Sequence, residues 1–334
     1  MTAVIGTTID APGSGPAAPR GRGRRQLTFD KISFFAVFLI LPVIGYLSFV
    51  VWPFGQAFYY SMTDWSGFTS AMKFIGLKNY QTLFTDDTFR KAMFNSIKLG
   101  VLLPIITIGI ALIFASLITV GGPSRGRIRG LRGSSIYRVV SFFPYVIPAI
   151  VIGLMWSQIY DPSAGLLNGI LTHLGFEDAK SFAWLGDSST AMIATMFVIV
   201  WGLVGFYMVL FVAAIKGVPA EIYEAARIDG AGRFRTAVTI TIPLIRDNIQ
   251  TSFIYMGIIA LDAFTYMAAL NPIGGPDNST LVMSQDLYMT AFSQTNKFGL
   301  ACAMGVVLAL ITLLFAAVVF LINKLTGGTN EVAE

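Results

Sequence analysis

Residues that could do chemistry are sparse in this sequence. There is one histidine, His173, and one cysteine, Cys302, so neither a histidine-rich metal site nor a disulfide framework within the chain is expected. Gly121 and Gly126 have the spacing of a phosphate-binding loop, but the Lys and the Ser or Thr that hold phosphate and Mg²⁺ do not follow them. We therefore expect this chain to bind no nucleotide, metal or other cofactor. If ATP drives this protein, another chain binds it.

The segment Pro219–Pro243 is the longest charged interruption between apolar stretches. Its charged side chains cannot lie in hydrocarbon, so the segment lies in water or against another protein; they are Glu221, Glu224, Arg227, Asp229, Arg233 and Arg235. The proline that opens the segment suits a helix start, and the stretch after it favours a helix with Ile222, Ala225 and Ala226 on one side. Gly230 can take the left-handed conformation that ends a helix. The pattern predicts a compact helix–glycine–helix projection from a membrane domain.

Asp262 is the acidic residue that stands out inside an apolar run. An aspartate at the centre of a membrane helix costs about 2.5–3.5 kcal/mol to insert, so it normally faces a cavity or a partner. It is either part of a transport path or a helix–helix contact inside the bundle. Aromatic side chains in the same runs could pack on the faces of sugar rings, or could serve helix packing; they are Trp156, Trp201, Phe206, Tyr207 and Tyr266.

The elements that position these residues are membrane helices. The chain is 55% hydrophobic and 12% charged, whereas soluble domains are about 25% charged. Apolar runs lie near 33–53, 95–120, 138–160, 189–215, 250–270 and 297–322. About 20 helical residues cross the roughly 30 Å hydrocarbon core, so the prediction is an all-α polytopic membrane protein with six transmembrane helices. The net charge of +5 comes from cations that flank these runs, which argues against nucleic-acid binding.

The distribution of Lys and Arg predicts the orientation. These residues concentrate in the N-terminal tail and in the second-to-third and fourth-to-fifth connections, which the positive-inside rule places in the cytoplasm. Both termini are therefore expected to be cytoplasmic. We expect 1–32 to be a disordered basic tail, 33–325 to form the six-helix domain with a cytoplasmic segment at 216–247, and 326–334 to be a short tail.

Several motifs resemble one family of membrane proteins. Glu224-Ala225-Ala226, three residues, Gly230, nine residues, Ile240, one residue and Ile242-Pro243 resemble the EAA signature of ABC-importer permeases, with Ile242 in place of the usual Leu. Other motifs resemble the carbohydrate-importer branch, related to the maltose permease subunits; they are Phe74–Tyr80, Phe143-Pro144 with Pro148 and Trp156, and Gly274-Gly275-Pro276 with Ser279-Thr280. The resemblance covers about 33–325 and implies a type I ABC-importer permease fold.

The resemblance also implies which residues act. It makes the charged segment a coupling helix that seats on an ATPase subunit, through Glu221, Glu224, Ala225, Ala226, Arg227, Asp229 and Gly230. The alternative is an amphipathic helix lying on the inner leaflet, which the balance of acids and bases argues against. The family resemblance also places the substrate path in the fourth to sixth helices. The candidate residues are Gly202, Phe206, Gly257, Asp262 and Phe264.

The function implied is import without catalysis by this chain. A permease of this family translocates a sugar, either a mono- or an oligosaccharide, across the bacterial cytoplasmic membrane. The implied partners are a related second permease subunit in a heterodimer, two ATPase subunits that hold ATP and Mg²⁺, and an extracytoplasmic solute-binding protein. One alternative is a permease for another polar solute such as glycerol phosphate. Another is an ion-coupled secondary transporter, which would be expected to carry several intramembrane ionisable groups.

Overall fold

The computed structural model describes residues 33–34, 36–69, 71–119, 133–293 and 297–325. The two predicted tails and the arginine-rich connection between the second and third apolar runs lie outside the described residues. The chain divides into two compact units, Met1–Phe54 and Gly55–Glu334. The described residues hold helices, turns and one isolated β-bridge, between Thr63 and Phe74. The predicted all-α class is confirmed.

Within the described residues, thirteen α-helices follow the first long helix. Helix α1 is Val37–Tyr60, in which α-helical and π-helical turns alternate. The others are α2 (Lys78–Thr85), α3 (Asp87–Thr119), α4 (Ser134–Val146), α5 (Ala149–Ile159), α6 (Leu166–His173), α7 (Ala191–Gly217), α8 (Ala220–Ile228), α9 (Arg233–Thr236), α10 (Ile242–Leu244), α11 (Arg246–Leu261), α12 (Phe264–Leu270), α13 (Met283–Tyr288) and α14 (Phe298–Leu325). A π-helical turn, Ala237–Thr241, joins α9 to α10.

Four of these helices can each cross a membrane by length and composition, namely α1, α3, α7 and α14. Two further spans are bent pairs: α4 with α5 at 96°, and α11 with α12 at 45°. The described part of the chain therefore accounts for up to six spans, and two of them are broken rather than continuous.

Prolines affect these spans differently. Pro104 and Pro144 stay inside helices, as expected where neighbouring groups satisfy the freed carbonyls. Pro148 instead separates α4 from α5, and Ile147 before it is extended, with φ −78° and ψ 132°. The ring of a proline disfavours the helical region for the residue that precedes it, which accounts for the sharp bend.

The core of the second unit is built around α7. This helix packs against α3 and α4, while α3 also packs against α11, and α5 packs against α12. Gly205 allows the closest of these contacts, because a Cβ there would collide with the backbone carbonyl of Ser141 on α4. Gly153 on α5 likewise lies against Ala269 on α12. Small residues permit such close approach of membrane helices, where packing rather than burial from water drives association.

Hydrogen bonds hold the connection between α12 and α13 against α3. The Asn95 side-chain amide donates to the carbonyls of Asn278 (3.1 Å) and Leu281 (2.9 Å). The Ser96 hydroxyl accepts from the backbone N–H of Met283 at 3.0 Å. The buried Gln285 amide donates to the Asn271 carbonyl at 2.8 Å. This connection is therefore an ordered segment fixed to the second span.

Candidate coupling surface and transport path

The charged segment has the predicted helix–glycine–helix structure. Helix α8 begins after Pro219, and Gly230 ends it with φ +73°. The Gly230 N–H donates to the Arg227 carbonyl (3.0 Å), and the Ala231 N–H donates to the Ala226 carbonyl (2.9 Å). These two bonds form a Schellman cap, which satisfies carbonyls at the helix end. These hydrogen bonds therefore hold the turn between α8 and α9 in one conformation.

Tyr223 and Ala226 anchor α8 to the segment that follows it. Both are buried, whereas Ala225, expected on the same side as Ala226, is exposed. The Tyr223 hydroxyl lies 3.3 Å from the Thr241 hydroxyl, in the turn between α9 and α10. Burial raises the pKa of Tyr223 above its ordinary value. Sequence reasoning missed Tyr223, although its spacing of three residues from Ala226 places both on one helical face.

The outward surface of the segment combines charges with two large apolar side chains. Glu221, Arg227, Asp229 and Gly230 are exposed, and Glu224 is partly exposed. Ile228 is 87% exposed and Phe234 is 83% exposed, one on each side of the glycine turn. Apolar side chains held out on an ordered projection indicate a surface that another molecule covers. We call Glu221, Glu224, Arg227, Ile228, Asp229 and Phe234 the coupling surface.

Two of the predicted path residues are helix-packing positions in this structure. Gly202 on α7 is buried, and a Cβ there would lie 2.9 Å from the Tyr266 hydroxyl. Gly257 on α11 is also buried, and a Cβ there would run into the ring of Phe315 on α14. Both glycines therefore set the distance between neighbouring helices.

Phe206 belongs to an aromatic group that the fold assembles from three spans. Its ring stacks on Tyr145 of α4, with centroids 4.6 Å apart and planes at 22°. The Tyr145 and Tyr255 side chains lie in the neighbourhood of Tyr207, and Tyr145 lies in the neighbourhood of Tyr266. We call these four tyrosines with Phe206 the tyrosine cluster.

The tyrosine cluster offers both aromatic faces and hydroxyl groups. Tyr145 and Tyr255 are exposed, whereas Tyr207 and Tyr266 are buried. Sequence reasoning included Phe206, Tyr207 and Tyr266 but missed Tyr145 and Tyr255. The signal for Tyr145 was its place directly after the Phe143-Pro144 motif; no local signal marked Tyr255. Trp156 and Trp201 contact each other edge to face at 5.5 Å, in keeping with the packing role weighed for them.

Asp262 lies in the break between α11 and α12 rather than at the centre of a continuous helix. It is exposed, and the Ser284 side chain of α13 lies near it. Phe264 follows at the start of α12, with its ring 5.3 Å from that of Tyr288. The exposure of Asp262 fits a transport path, and the nearness of Ser284 fits a helix–helix role.

The predicted site residues lie in separate places. Gly230 and its neighbours make one surface, whereas Phe206 belongs to the tyrosine cluster and Gly202 lies beside Tyr266 of that cluster. Asp262 and Phe264 instead face α13. Within the described ranges, no group of three or more His, Cys, Asp or Glu side chains could hold a metal ion.

The comparison with protein families decides what kind of membrane protein carries these features. Residues 83–327 match the family described as binding-protein-dependent transport system inner membrane component. The chain belongs to this family. It is a multi-pass membrane permease of a binding-protein-dependent ABC transport system, which favours the importer over the ion-coupled secondary transporter.

Relatives and solved structures agree with this family. The permease is 59% identical to the diacetylchitobiose uptake system permease protein NgcF of Streptomyces coelicolor over 94% of this chain and 89% of that protein. It is 32% identical to the multiple sugar-binding transport system permease protein MsmF of Streptococcus mutans over 82% of this chain and 89% of that protein.

A bacterial alginate ABC transporter, solved in complex with an alginate pentasaccharide-bound periplasmic protein, contains a chain with the same fold. The TM-score is 0.74 at 20% identity, over 88% of this permease and 96% of that chain. The predicted type I permease fold and the recognised family are thus confirmed.

Proposed function

We propose that this permease carries an N-acetylated amino-sugar disaccharide, such as diacetylchitobiose, or a related oligosaccharide. The observation that carries the proposal is the 59% identity to the diacetylchitobiose permease over 94% of the chain. Such identity extends across the spans that contain the tyrosine cluster and Asp262. It narrows the prediction of an unspecified sugar to one class of sugars.

The chemistry of the tyrosine cluster supports a neutral sugar. Pyranose rings and acetyl methyl groups present apolar faces that pack on aromatic rings, and tyrosine hydroxyls can hydrogen-bond sugar hydroxyls and amides. A phosphorylated solute would instead call for Arg or Lys. The sn-glycerol-3-phosphate permease protein UgpA of Escherichia coli is a more distant relative, 28% identical over 84% of this chain. The glycerol phosphate alternative is therefore the weaker one.

The coupling surface supports the proposal that separate ATPase subunits power transport through this permease. Two ATPase subunits hold ATP and Mg²⁺, a second permease completes the path, and an extracytoplasmic binding protein delivers the sugar. Both termini and α8 lie in the cytoplasm in this arrangement. ATP binding draws the two ATPase subunits together and carries α8 with them, and hydrolysis resets the path. The fixed glycine turn and the Tyr223 anchor suit α8 to transmit such a rigid-body movement.

Sugar uptake by cells that express the complete importer tests the substrate. We expect labelled diacetylchitobiose to accumulate, with competition by its unlabelled form and little competition by maltose or glycerol 3-phosphate. Tyr145→Ala should weaken uptake by about ten-fold or less, since one aromatic contact is worth about 0.5–1.5 kcal/mol beyond its burial. Tyr137→Ala, an exposed tyrosine on the same helix, is the matched control. Competition by glycerol 3-phosphate alone would refute the sugar assignment.

Co-purification of the ATPase tests the coupling surface. Ile228→Asp should reduce the amount of ATPase that stays bound to the tagged permease, because it places a charge where an apolar contact is expected. Ile273→Asp, at an exposed apolar residue far along the chain from α8, should leave ATPase binding unchanged. Equal ATPase recovery for the two variants would contradict the assignment of α8.

A further inference from the structure

Three residues form a hydrogen-bonded clamp between the start of α11 and the end of α14. The Arg246 guanidinium donates through Nε to the side-chain oxygen of Asn323 at 2.7 Å, and through Nη2 to the backbone carbonyl of Asn323 at 2.7 Å. The Asn323 side-chain amide donates in turn to the side-chain oxygen of Gln250. All three residues are partly buried. We call Arg246, Gln250 and Asn323 the clamp.

The clamp suits the geometry of arginine. A guanidinium presents its N–H groups in a planar fork and can bind two acceptors at once, whereas a lysine ammonium lacks this fixed geometry. Asn323 lies in the last turn of α14, where backbone carbonyls have no partner inside the helix. A cation at this end of a helix is also favoured by the helix dipole. Arg246 therefore fixes the end of the sixth span to the start of α11.

Apolar contacts continue from the clamp along both helices. Phe253 of α11 stacks on Phe315 of α14, with ring centroids 6.2 Å apart and planes at 14°. Gly257 lies against the same ring. The four α11 residues that face α14 in these contacts are spaced by four, three and four positions, which places them on one face of the helix. The two helices are therefore packed together from the clamp to Gly257.

The clamp is also connected to the coupling surface. Tyr223 of α8 contacts Thr241, just before α10, through their hydroxyl groups. The N–H of Ile245, which is buried, donates to the Thr241 carbonyl at 3.1 Å. Arg246 is the next residue in the chain. A continuous series of contacts between ordered residues thus joins α8 to the end of α14.

We infer that Arg246 is a positioning residue for transport, which transmits the movement of α8 to the sixth span through Asn323. The inference rests on the proposed coupling of α8 to an ATPase subunit. Two elements that move together need a connection that keeps its geometry, and paired charge-assisted hydrogen bonds provide one. Without the clamp, ATP hydrolysis continues but moves the sixth span less. A role in stability alone predicts instead that uptake and ATP hydrolysis fall together.

The ratio of sugar carried to ATP hydrolysed tests the inference in the complete importer in vesicles, with diacetylchitobiose as the probe. Arg246→Ala should lower this ratio by about ten-fold or more, because hydrogen bonds to a charged group are lost. Arg246→Lys keeps the charge but loses the fork, so it should give an intermediate ratio. The control is Lys324→Ala, which removes a cation next to Asn323 but none of the clamp's hydrogen bonds, and which should leave the ratio unchanged. Equal falls in uptake and hydrolysis with Arg246→Ala would overturn the inference.

A double variant tests whether Arg246 acts through Asn323. Asn323→Ala removes the side-chain acceptor and the bond to Gln250 but keeps the backbone carbonyl, so its effect should be smaller than that of Arg246→Ala. Residues that act together have non-additive effects, so the double variant should resemble Arg246→Ala alone. Effects that multiply in the double variant would show independent roles and would contradict the assignment.

Fluorescent labels on α10 and α14 follow the movement itself. The labels are attached at Leu244→Cys and Lys324→Cys, both at exposed residues, in an importer whose native cysteines, including Cys302, have been replaced. A non-hydrolysable ATP analogue with Mg²⁺ should change the signal of both labels. With Arg246→Ala, the label on α10 should still respond and the label on α14 should not. A response of the α14 label that survives Arg246→Ala would overturn the inference, and so would loss of both responses, because the defect would then lie before the clamp.

The label measurement separates this inference from the proposed function. It uses no sugar, so a failure of the unmodified importer to carry diacetylchitobiose would refute the substrate and leave the label result standing. In the unmodified importer, silence of both labels would refute the proposed coupling to the ATPase. A response on α10 without one on α14 would refute the role of Arg246 alone.

Discussion

Substitution of Gly230 should weaken transport in an order that follows backbone conformation and not side-chain size. Gly230 has φ +73°, and a Cβ there would meet no atom of this chain within 4 Å. A side chain therefore fits, and the expected penalty comes from the left-handed conformation. That conformation costs a typical L-residue roughly 1–2 kcal/mol, and Asn tolerates it better than Ala does. A β-branched residue such as Val tolerates it least.

The expected loss of uptake follows from the free-energy cost of the left-handed conformation at the helix cap. A penalty of 1–2 kcal/mol reduces the ratio of formed to unformed turn by about 5- to 30-fold. If the coupling surface needs the turn, uptake should decline from Gly to Asn to Ala and be abolished or nearly so with Val. Membrane insertion should stay normal throughout, because the substitution lies outside the spans.

The assay compares three quantities for each variant: permease in the membrane fraction, ATPase recovered with the tagged permease, and ATP-dependent sugar uptake. Asn is larger than Ala, so an effect dominated by size would make Asn the worse of the two. Better uptake with Ala than with Asn would refute the backbone argument. Normal uptake with Val would refute the coupling role of the segment itself.

Three further predictions concern the spans and the segment between the fifth and sixth spans. Gly205→Ala should prevent stable assembly, because its methyl group collides with the Ser141 carbonyl at a cost of about 3 kcal/mol or more. The control is Gly217→Ala on the same helix. A Cβ at Gly217 meets open space, so this variant should leave the melting temperature nearly unchanged. Asp262→Ala should change uptake kinetics while the ATPase still assembles; unaltered kinetics would indicate a helix–helix role. Asp286, on α13 outside the six spans, has its pKa raised to about 6 by burial and by nearby Asp86. An unfolded chain holds this proton less tightly, so the stability from the protonated acid is present below about pH 4 and is lost as pH rises through about 6. Asp286→Asn should therefore stabilise the importer at about pH 8, by up to about 3 kcal/mol, and much less at about pH 4, as measured by thermal unfolding; an equal effect at both pH values would contradict the buried acid.

The spans and the coupling segment could be predicted from local sequence. Runs of about 20 apolar residues indicate spans because the bilayer sets their length. Pro219 and Gly230 limit the backbone where they stand, so the ends of α8 were correctly predicted to within a residue. Each of these signals acts on the residue that carries it or on its immediate neighbours.

The breaks in the third and fifth spans could not be predicted in the same way. Pro104, Pro144 and Pro148 all lie in apolar runs, yet the first two stay inside helices and the third separates two. The difference lies in the surroundings: α5 packs against α12 through Gly153, which gives the helix after Pro148 its own partner. Sequence alone does not state which partner each half of a run will find.

The surroundings of the candidate path residues depend even more on contacts between residues that are distant in the sequence. Gly257 lies against Phe315, and Tyr145 stacks on Phe206, and each pair joins residues from different spans. An apolar run does not show which side of its helix faces a neighbour and which faces a cavity. The candidate glycines were therefore identified as part of the fourth and fifth spans, but their packing role appeared only in three dimensions.

The bend at Ile147 and Pro148 makes the third span a torsional joint. The half before it is bound to α7 backbone against backbone, and the half after it rests chiefly on α12. If transport moves α12 relative to α7, the twist between the two halves of the third span is taken up at Ile147 and Pro148. The proline ring fixes its own φ, so rotation is left mainly to the ψ angles on either side. The two halves of the third span would then rotate relative to each other as rigid helices, and the fixed φ of Pro148 would limit the direction of that rotation.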